Sequence, residues 1–440
     1  MAAQEPPSTG KTTSSFPPLA TSRDTYGHPL FRSVAFRWFW RFYTWRLTDA
    51  GRWLLWPMVG FFLYTSASLE FQSFIPLSYM FGLWVVALSA AVLCRPRVKL
   101  RVCHADRVCA GETLPVDVFV ERTGGLGGIG LQVLPHRLPL GVDALPEEGT
   151  ALPELKAGQQ AKARLGLYCG QRGVHRLKAF RAETDFPFGV FRSYSVFPHD
   201  RTLLVYPSFM ALKRLGVPLG RRYQPGGVSL ASVVGDAVEY VGNREFRDGD
   251  SVRDIDWRAT ARLNRPIVRE YREEYLLRVA VILDTHVPRE APAARRASFE
   301  RGVSLCAAVG EYLARQEHVV DIFAAGPNLY HLMAGRSLAY LDQILDILAC
   351  VEENPVEPFD AIAPELLENL ARISAVVCVF LDWTESRRAF AESLRQQGAG
   401  LKLAIAAEGP CTLDPAADEA IFGPIPVFSR ADFERGIEEM

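Results

Sequence analysis

The sequence lacks paired cysteines at zinc-site spacing, and it carries almost no net charge. Its eight cysteines are scattered, and only Cys103 and Cys109 lie close together, without CxxC spacing. Reduced thiols in a cytoplasmic protein account for this pattern. A formal net charge of −1 over 440 residues argues against a general affinity for nucleic acid or acidic substrates. We therefore expect neither a structural zinc site nor a nucleic-acid partner.

The sequence also lacks a complete nucleotide-binding motif. GKTT at 10–13 resembles the end of a phosphate loop, but Glu5 stands where the first glycine is required. The glycines of 125–130 spell GxGxxG, yet Pro135 and Pro139 follow where the phosphate-binding helix would begin. We interpret the first motif as chance and the second as a flexible hairpin connection.

The first 95 residues predict a tail followed by a membrane anchor. Residues 1–30 are rich in Pro, Ser and Thr and have few large apolar residues, so we predict a disordered tail. In 33–48 aromatic residues alternate with arginines, which is typical of a segment in the lipid headgroup layer. The apolar runs 54–69 and 75–93 follow, the first marginal in length and the second long enough to span a bilayer. Residues 33–95 therefore predict an interfacial segment and a two-helix transmembrane hairpin.

Basic residues on both sides of this hairpin predict its orientation. Four arginines precede it, four basic residues follow it, and the connecting loop has Glu70 and no basic residue. Because basic residues favour the cytoplasmic side, both termini are expected there. We predict a multi-pass protein of the inner (cytoplasmic) membrane of a bacterium.

The middle region predicts an all-β domain. Short β-rich runs between 97 and 207 are separated by Gly and Pro turns and show no helical period. Strands at this spacing are typical of an antiparallel β-sandwich. The segment TDFPFGVFRS at 184–193 joins an acid, a proline turn and three phenylalanines, and we expect it to hold a corner against the sandwich core.

A charged stretch within 237–274 separates this domain from the rest of the chain. Residues 244–274 contain eight arginines, eight acids and no lysine. Since the planar guanidinium bonds carboxylates through two parallel hydrogen bonds, this composition favours a semi-buried ion-pair lattice that joins two domains. The candidate residues of this joint are Arg253, Asp254, Asp256, Trp257, Arg258 and Arg262. Alternatively they form a partner-docking surface, because Trp and Arg dominate interface hot spots.

Residues 275–440 predict an α/β doubly wound domain. Continuous apolar strands alternate with amphipathic helices, which is typical of a mainly parallel sheet covered on both faces. Two of the predicted strands end in Asp284 and Asp382. In such sheets sites lie at the carboxyl ends of strands, so these acids are the candidate site.

The run GDSVRDIDWRATAR at 249–262, followed by VREYREE and a strand ending in LDT, resembles the domain of unknown function 58 (DUF58) family. RGVH, TDFPFG and LLVYP upstream also resemble that family, so the resemblance covers 50–440. It implies a von Willebrand factor A-like C-terminal domain and a membrane-anchored partner of a MoxR-type AAA+ ATPase, often alongside a transglutaminase-like membrane protein. It implies no catalytic activity.

The von Willebrand factor A fold commonly holds Mg²⁺ through Asp-x-Ser-x-Ser. Here Asp284 matches, while His286 and Pro288 stand at the serine positions, which removes two of the oxygen ligands that Mg²⁺ prefers. Asp382 matches a distant Asp, and Ser337 is a candidate for a distant Thr. We expect a degenerate metal site and no cofactor, with Mg²⁺ as the alternative.

Taken together, these observations predict a non-enzymatic adaptor or chaperone-type partner of a MoxR-type AAA+ ATPase, anchored in the lipid bilayer. The alternative is a metal-dependent ligand-binding receptor or hydrolase centred on Asp284 and Asp382.

Overall fold

In the computed structural model of the protein, the described residues are 34–68, 72, 74–125, 129–145, 151–218, 238–247, 250, 252–273, 278–316, 318–325, 329–333, 338–370 and 373–440. The predicted disordered tail at 1–30 and Ser337 lie outside these ranges.

Three helices open the described chain: α1 (Val34–Trp45), α2 (Asp49–Ser68) and α3 (Phe74–Leu93). Among the described residues, α3 is the helix long and apolar enough to cross a membrane, and few of its side chains are buried. Helix α2 has Pro57 in its interior and begins with Asp49. The predicted hairpin thus corresponds to two helices of which one meets the length and hydropathy expected of a membrane span.

Two four-stranded sheets follow, with orders β1-β3-β6-β5 and β2-β8-β7-β4. Their strands are β1 (Arg97–Cys103), β2 (Arg107–Cys109), β3 (Thr113–Gly124), β4 (Gln132–Pro135), β5 (Val142–Ala144), β6 (Gln160–Cys169), β7 (Gly173–Thr184) and β8 (Ser193–Tyr206). Strand β3 buries every second residue from Leu114 to Val120, as the period of two in an extended chain requires. The pairing of β2 with β8 is parallel, contrary to the predicted antiparallel arrangement. No tight hairpin turn joins these distant strands, so their relative direction is not fixed locally.

The charged stretch forms a small structure of its own. Strands β9 (Val238–Glu245) and β10 (Ile267–Glu273) pair antiparallel, and helix α4 (Trp257–Leu263) lies in the connection between them. Asp256 caps α4, because its Oδ1 accepts hydrogen bonds from the backbone N–H groups of Arg258 and Ala259 at 3.1 and 3.0 Å. Asn264 ends the helix in the left-handed conformation, with φ of 55°.

A six-stranded sheet with order β13-β12-β11-β14-β15-β16 forms the C-terminal region. Its strands are β11 (Arg278–Leu283), β12 (Val319–Ala325), β13 (Leu329–Met333), β14 (Ala375–Phe380), β15 (Gly400–Ala406) and β16 (Val427–Phe428). Only the pairing of the edge strand β13 with β12 is antiparallel among these six.

Helices cover both faces of this sheet: α5 (Ala293–Arg315), α6 (Leu338–Cys350), α7 (Phe359–Asn369), α8 (Glu385–Gln396), α9 (Glu419–Phe422) and α10 (Arg430–Arg435). Val281 and Leu283 of β11 pack with α5 and α6 in one buried cluster. Ala280 and Ile282 pack with α7 and α8 in another. Because successive side chains of a strand point to opposite faces, these two clusters are the two sides of one covered sheet.

The chain divides into two compact units. The first comprises residues up to 105 together with 114–168 and 176–201, and the second comprises 106–113, 169–175 and 202–440. The boundaries expected at 97–207, 237–274 and 275–440 therefore differ from this division, and as domain boundaries they stay predictions.

Within the first unit, the segment at 184–193 contacts the helices. Phe191 packs edge-on against Trp84 of α3 with ring centroids 5.1 Å apart and lies 6.0 Å from the Phe42 ring of α1. Phe188 is exposed. The expectation of three phenylalanines holding a corner on the sandwich core is therefore wrong, because the apolar surface of the helices offers Phe191 its packing partners.

Candidate functional site

The two candidate acids lie at the same edge of the six-stranded sheet. Strands β11 and β14 are parallel neighbours, with Leu283 opposite Val379. Asp284 directly follows β11, and Asp382 follows β14 after one further residue. Since parallel strands end at a common edge, the topology places the two acids at the position where sites form in open α/β sheets.

Asp284 is completely buried, and both oxygens of its carboxylate accept hydrogen bonds. Its exposed fraction is 0%. One oxygen accepts a hydrogen bond from the backbone N–H of His286 at 2.9 Å, and the other accepts from the N–H of Leu381 at 3.0 Å. These bonds hold the loop after β11 against the end of β14.

The remaining partner of Asp284 is Arg387 in the first turn of α8. Its Nε and Nη2 both lie 2.8 Å from Oδ2 of Asp284, and the arginine is only 1% exposed. Its Nη1 donates to Thr384 Oγ1 at 3.0 Å, and the guanidinium lies over the Phe359 ring, 5.6 Å from its centroid. A buried charge requires a partner, and here each ion supplies it for the other.

Asp382 is held in a similar way. Its carboxylate accepts hydrogen bonds from the N–H and the hydroxyl of Thr412, both at 2.8 Å, and lies 3.3 Å from Nη1 of Arg295. Burial alone would raise the pKa of this carboxyl, but the two bonds from Thr412, the charge of Arg295 and the N–H of Trp383 together hold the pKa below its usual value. Asp382 is therefore ionised at neutral pH.

A shallow cleft of about 380 Å³ opens beside these pairs. Charged residues of both signs line it, among them Arg295, Asp382, Arg387 and Glu357. His286 also lines it, and its Nδ1 is buried and has no hydrogen-bond partner among the described residues. The cleft is thus polar and mixed in charge.

The residues of this edge do not fit a Mg²⁺ ion. A divalent cation needs several oxygen ligands with free lone pairs. The guanidinium of Arg387 stands against Asp284, and that of Arg295 stands against Asp382, so each carboxylate already has a cation. Within the described ranges no group of three or more His, Cys, Asp or Glu side chains is arranged to hold a metal.

The six candidates of the charged stretch lie close together, but the arginines among them are not buried. Arg253, Arg258 and Arg262 are exposed, and Trp257 is 66% exposed. In the part of the chain that the structure describes, no ion pair includes the side chain of Arg258 or Arg262. The exposure of these side chains differs from the semi-buried environment that was predicted for them. Whether the six residues form a domain joint or a docking surface stays a prediction.

Among the six candidates, Asp256 forms an ion pair, with its Oδ2 3.7 Å from Nε of Arg269. A closer pair in this stretch involves residues outside the six. Arg244 forms a two-bond fork with Asp250 at 2.7 and 2.8 Å, which holds the pKa of that carboxyl down at about 2, with help from the N–H of Arg247. The pKa of Asp256 is also lowered, first by the hydrogen bond from the Ala259 N–H and then by Asn243 and Arg269. Asp256 therefore has a structural role as a helix cap, and Asp254 lies in a short 3-10 turn at Val252–Asp254.

Sequence reasoning missed Arg387, Arg295 and Thr412. Arg387 opens a helix that the apolar pattern predicted, whereas Arg295 precedes the predicted start of its helix at Phe299. Nothing in their spacing distinguishes them from exposed arginines. A weak signal exists for Arg387, which occupies the first turn of its helix, where acids are favoured. A basic residue there indicates a specific anionic partner.

Residues 242–408 match the family described as "Protein of unknown function DUF58". The chain is 23% identical over 252 residues to the uncharacterized protein YeaD of Bacillus subtilis (strain 168), across 53% of this chain and 60% of that protein. The match thus spans less than two thirds of the relative. A solved CARDB domain from Pyrococcus furiosus covers 25% of this chain at 14% identity, with a TM-score of 0.15, and 95% of that domain is matched. The resemblance to the DUF58 family is confirmed for residues 242–408.

Proposed function

We propose that this protein, whose residues 242–408 match the DUF58 family, is a membrane-anchored, non-enzymatic adaptor that works with a MoxR-type AAA+ ATPase. Its C-terminal α/β region acts as a von Willebrand factor A-like binding domain. The ATPase partner, and a transglutaminase-like membrane protein beside it, come from the sequence resemblance at 249–262.

The observation that carries the proposal is the buried contact between Arg387 and Asp284. At the sheet edge where a reactive or metal-binding acid would have to be open, the carboxylate has a guanidinium 2.8 Å away and two backbone donors. Reorganising such a pair costs several kcal/mol, since it strands a buried charge. This favours binding through a rigid surface over chemistry at the acids.

The exposed face of α4 supports a docking role for the charged stretch. Trp257 is 66% exposed and Val252 64% exposed, and Arg258 and Arg262 are exposed near them along the chain. An exposed tryptophan with neighbouring arginines is the composition of an interface hot spot.

The membrane anchor is supported by α3. It is long and apolar enough to span a bilayer, and large apolar side chains such as Val86 and Val92 lie on its exposed surface. A core helix of a soluble protein would bury such side chains.

Topology is tested by labelling intact cells with a membrane-impermeant maleimide. Gln72→Cys, in the loop between α2 and α3, should be labelled from outside. The native exposed Cys103 should react only after the cells are opened. Labelling of Cys103 in intact cells would show that the orientation is the reverse of the one proposed. The region after α3 would then be out of reach of a cytoplasmic ATPase.

The adaptor role is tested by co-purifying the detergent-solubilised full chain with the ATPase, with and without ATP. Trp257→Ala should reduce the recovered ATPase about tenfold or more, the scale of a hot-spot residue. Leu367→Ala, at another exposed apolar position, serves as the matched control and should leave recovery unchanged. Equal recovery with both variants would contradict docking through α4.

The metal-dependent receptor or hydrolase remains the competing proposal for the same edge. The cleft beside Asp382 and the unpartnered Nδ1 of His286 are the features that favour it. Micromolar binding of Mg²⁺ or Mn²⁺ in titration calorimetry, lost in Asp382→Asn, would support that alternative against the adaptor.

A further inference from the structure

A cavity of about 530 Å³ lies in the first unit, at the end of α3. Aromatic and apolar side chains of α1, α3 and β8 line most of it, including Phe42, Trp45 and Leu88. Two arginines, Arg46 and Arg192, complete the lining. The cavity is thus amphipathic, with its guanidinium groups beside an apolar wall.

Positive charge around this cavity exceeds negative charge. Glu183 is buried and lies 3.0 Å from Nε of Arg181 and 3.4 Å from Nε of Arg192. The Arg181 guanidinium lies over the Trp45 ring, 5.4 Å from its centroid. One carboxylate therefore serves two arginines, which leaves one positive charge in excess.

Arg46 adds a second excess charge. Its guanidinium lies over the Tyr194 ring, 4.9 Å from the centroid, and among the described residues no acid forms an ion pair with it. A half-buried guanidinium held on an aromatic face keeps hydrogen-bond donors available for a ligand. The excess of two cations at one cavity favours an anion there.

The apolar wall of the cavity continues into the surface of α3. Val92 and Leu88 line the cavity and are 68% and 45% exposed. The exposed apolar face of the helix extends from them towards Phe81 and Val85. A ligand that meets both the arginines and this face needs a negative head and a long apolar part.

The cavity is held rigidly. The N–H of Arg192 donates to the carbonyl of Arg46 at 2.6 Å, and the N–H of Thr48 donates to that of Val190 at 3.2 Å. The hydroxyl of Ser193 also donates to the carbonyl of Ala91. These contacts connect the end of α1 and the end of α3 to the start of β8, so the arginines are preorganised for a ligand.

We propose that this cavity binds an anionic glycerophospholipid, with the phosphate on Arg46 and Arg192 and an acyl chain along Leu88 and Val92. The inference rests on the membrane anchoring in the proposed function, which puts the end of α3 at the headgroup layer. Arginine suits the ligand because its planar donors match phosphate oxygens in pairs. Basic pockets between membrane helices are a recurrent form of lipid-headgroup site.

The test is a lipid titration of the full chain in non-ionic detergent, followed by native mass spectrometry. Phosphatidylglycerol should bind saturably with one tight equivalent, and phosphatidylcholine should bind roughly tenfold more weakly, the scale of one charge-assisted hydrogen bond. Arg46→Gln should lower the phosphatidylglycerol affinity by a similar factor. Arg101→Gln removes an exposed arginine of β1 that does not line the cavity, and should leave the affinity within about twofold.

Thermal melting of each variant checks that it is folded. Arg46→Lys keeps the charge without the planar fork and should bind phosphatidylglycerol with intermediate affinity. Equal affinity for the two lipids, or wild-type affinity in Arg46→Gln, would overturn the proposal. Displacement of the lipid by inorganic phosphate at comparable concentration would identify a soluble anion and overturn it as well.

Alkaline carbonate extraction of membranes separates this inference from the proposed function. If wild-type protein is released by carbonate yet prefers phosphatidylglycerol, the anchor fails and the lipid site stands. If the protein stays in the membrane without that preference, the anchor stands and the lipid site fails.

Discussion

Two arginine-containing regions of the second unit differ in what surrounds their charges. The hairpin and α4 between 238 and 273 hold most of the chain's densest charge run, and Arg258 and Arg262 there are exposed. At the edge of the six-stranded sheet the charged residues are dispersed along the sequence, yet Asp284 and Arg387 are both buried and lie 2.8 Å apart. Charge density in the sequence therefore does not identify where an ion pair matters, because the energetic consequence depends on desolvation.

The largest expected effect is at the sheet edge. Asp284→Ala leaves the guanidinium of Arg387 buried without its carboxylate, and we expect a loss of about 3–5 kcal/mol in the free energy of unfolding. Urea unfolding of the full chain in detergent, followed by tryptophan fluorescence, to which buried Trp383 contributes, measures this.

Two variants sharpen that result. Asp284→Ala combined with Arg387→Met should recover part of the loss, since no charge is then stranded. Asp342→Ala removes an exposed acid that pairs with Arg107, and should cost less than about 1 kcal/mol. A single Asp284→Ala variant as stable as the Asp342 control would show that burial does not separate the two regions.

An intermediate effect is expected for Arg278→Lys. Its Nε and Nη2 lie 2.6 and 3.2 Å from the oxygens of Asp321, which is buried, while the arginine is half-buried. Lysine keeps the charge but only one of the two bonds, so we expect a loss of roughly 1.5–3 kcal/mol in the same urea experiment. Arg265→Lys, whose partner Glu245 is exposed, is the matched control and should change little. Equal losses in the two variants would contradict the dependence on burial.

A pH dependence is expected at Asp382. Because its folded-state pKa is lowered, its ionised form contributes stability that is fully present above the unfolded pKa of about 3.9 and is lost as pH falls through the folded pKa. Asp382→Asn should therefore be less stable by about 1–2 kcal/mol above pH 5, and the difference should shrink below pH 4. Thermal melting across pH 2–7 measures it.

Thr412→Val provides the check on the cause. It removes the hydroxyl that donates to Asp382 at 2.8 Å, so the folded-state pKa of Asp382 should rise towards the unfolded value. This variant should therefore lose less stability on acidification, and its loss should be complete at a higher pH than in the wild type. A curve identical to wild type would assign the lowered pKa to the other donors.

The smallest effect is expected for Arg258→Lys on α4. A semi-buried fork would have cost about 1.5–3 kcal/mol, whereas the exposed side chain should cost less than about 0.5 kcal/mol. Melting should stay near wild type, and any loss should concern ATPase co-purification. A large drop in stability would instead support a semi-buried ion-pair lattice around Arg258.

Several elements were predictable because their local pattern is strong. The predicted strands ending at Asp284 and Asp382 correspond to β11 and β14, and the predicted helix at 338–351 corresponds to α6. A continuous apolar run of strand length favours a buried strand, and apolar residues at helical spacing favour a helix, so each pattern is compatible with few other structures. The edge strand β13 and helix α7 were missed, since β13 is short and Pro364 lies inside α7.

The DUF58 resemblance at 249–262 was also accessible from sequence, and the match over 242–408 confirms it. The sequence did not show whether the side chains of that motif are buried or exposed. Alternating charges and apolar residues suit either a lattice between two domains or a solvated helix, and only the surrounding structure distinguishes these environments.

By itself the sequence determined where most of the helices and the buried strands of 278–407 lie, because the period of the apolar residues fixes each of these elements locally. It also determined that two strands end in acids, whereas the structure showed that these strands are neighbours in the sheet. The tertiary structure alone decided that Arg387 and Arg295 meet those acids, and that Arg46 and Arg192 line one cavity. In most of these pairs the two residues are about a hundred positions or more apart in the sequence. A local sequence pattern therefore cannot indicate which distant charges the packing of sheet and helices brings together.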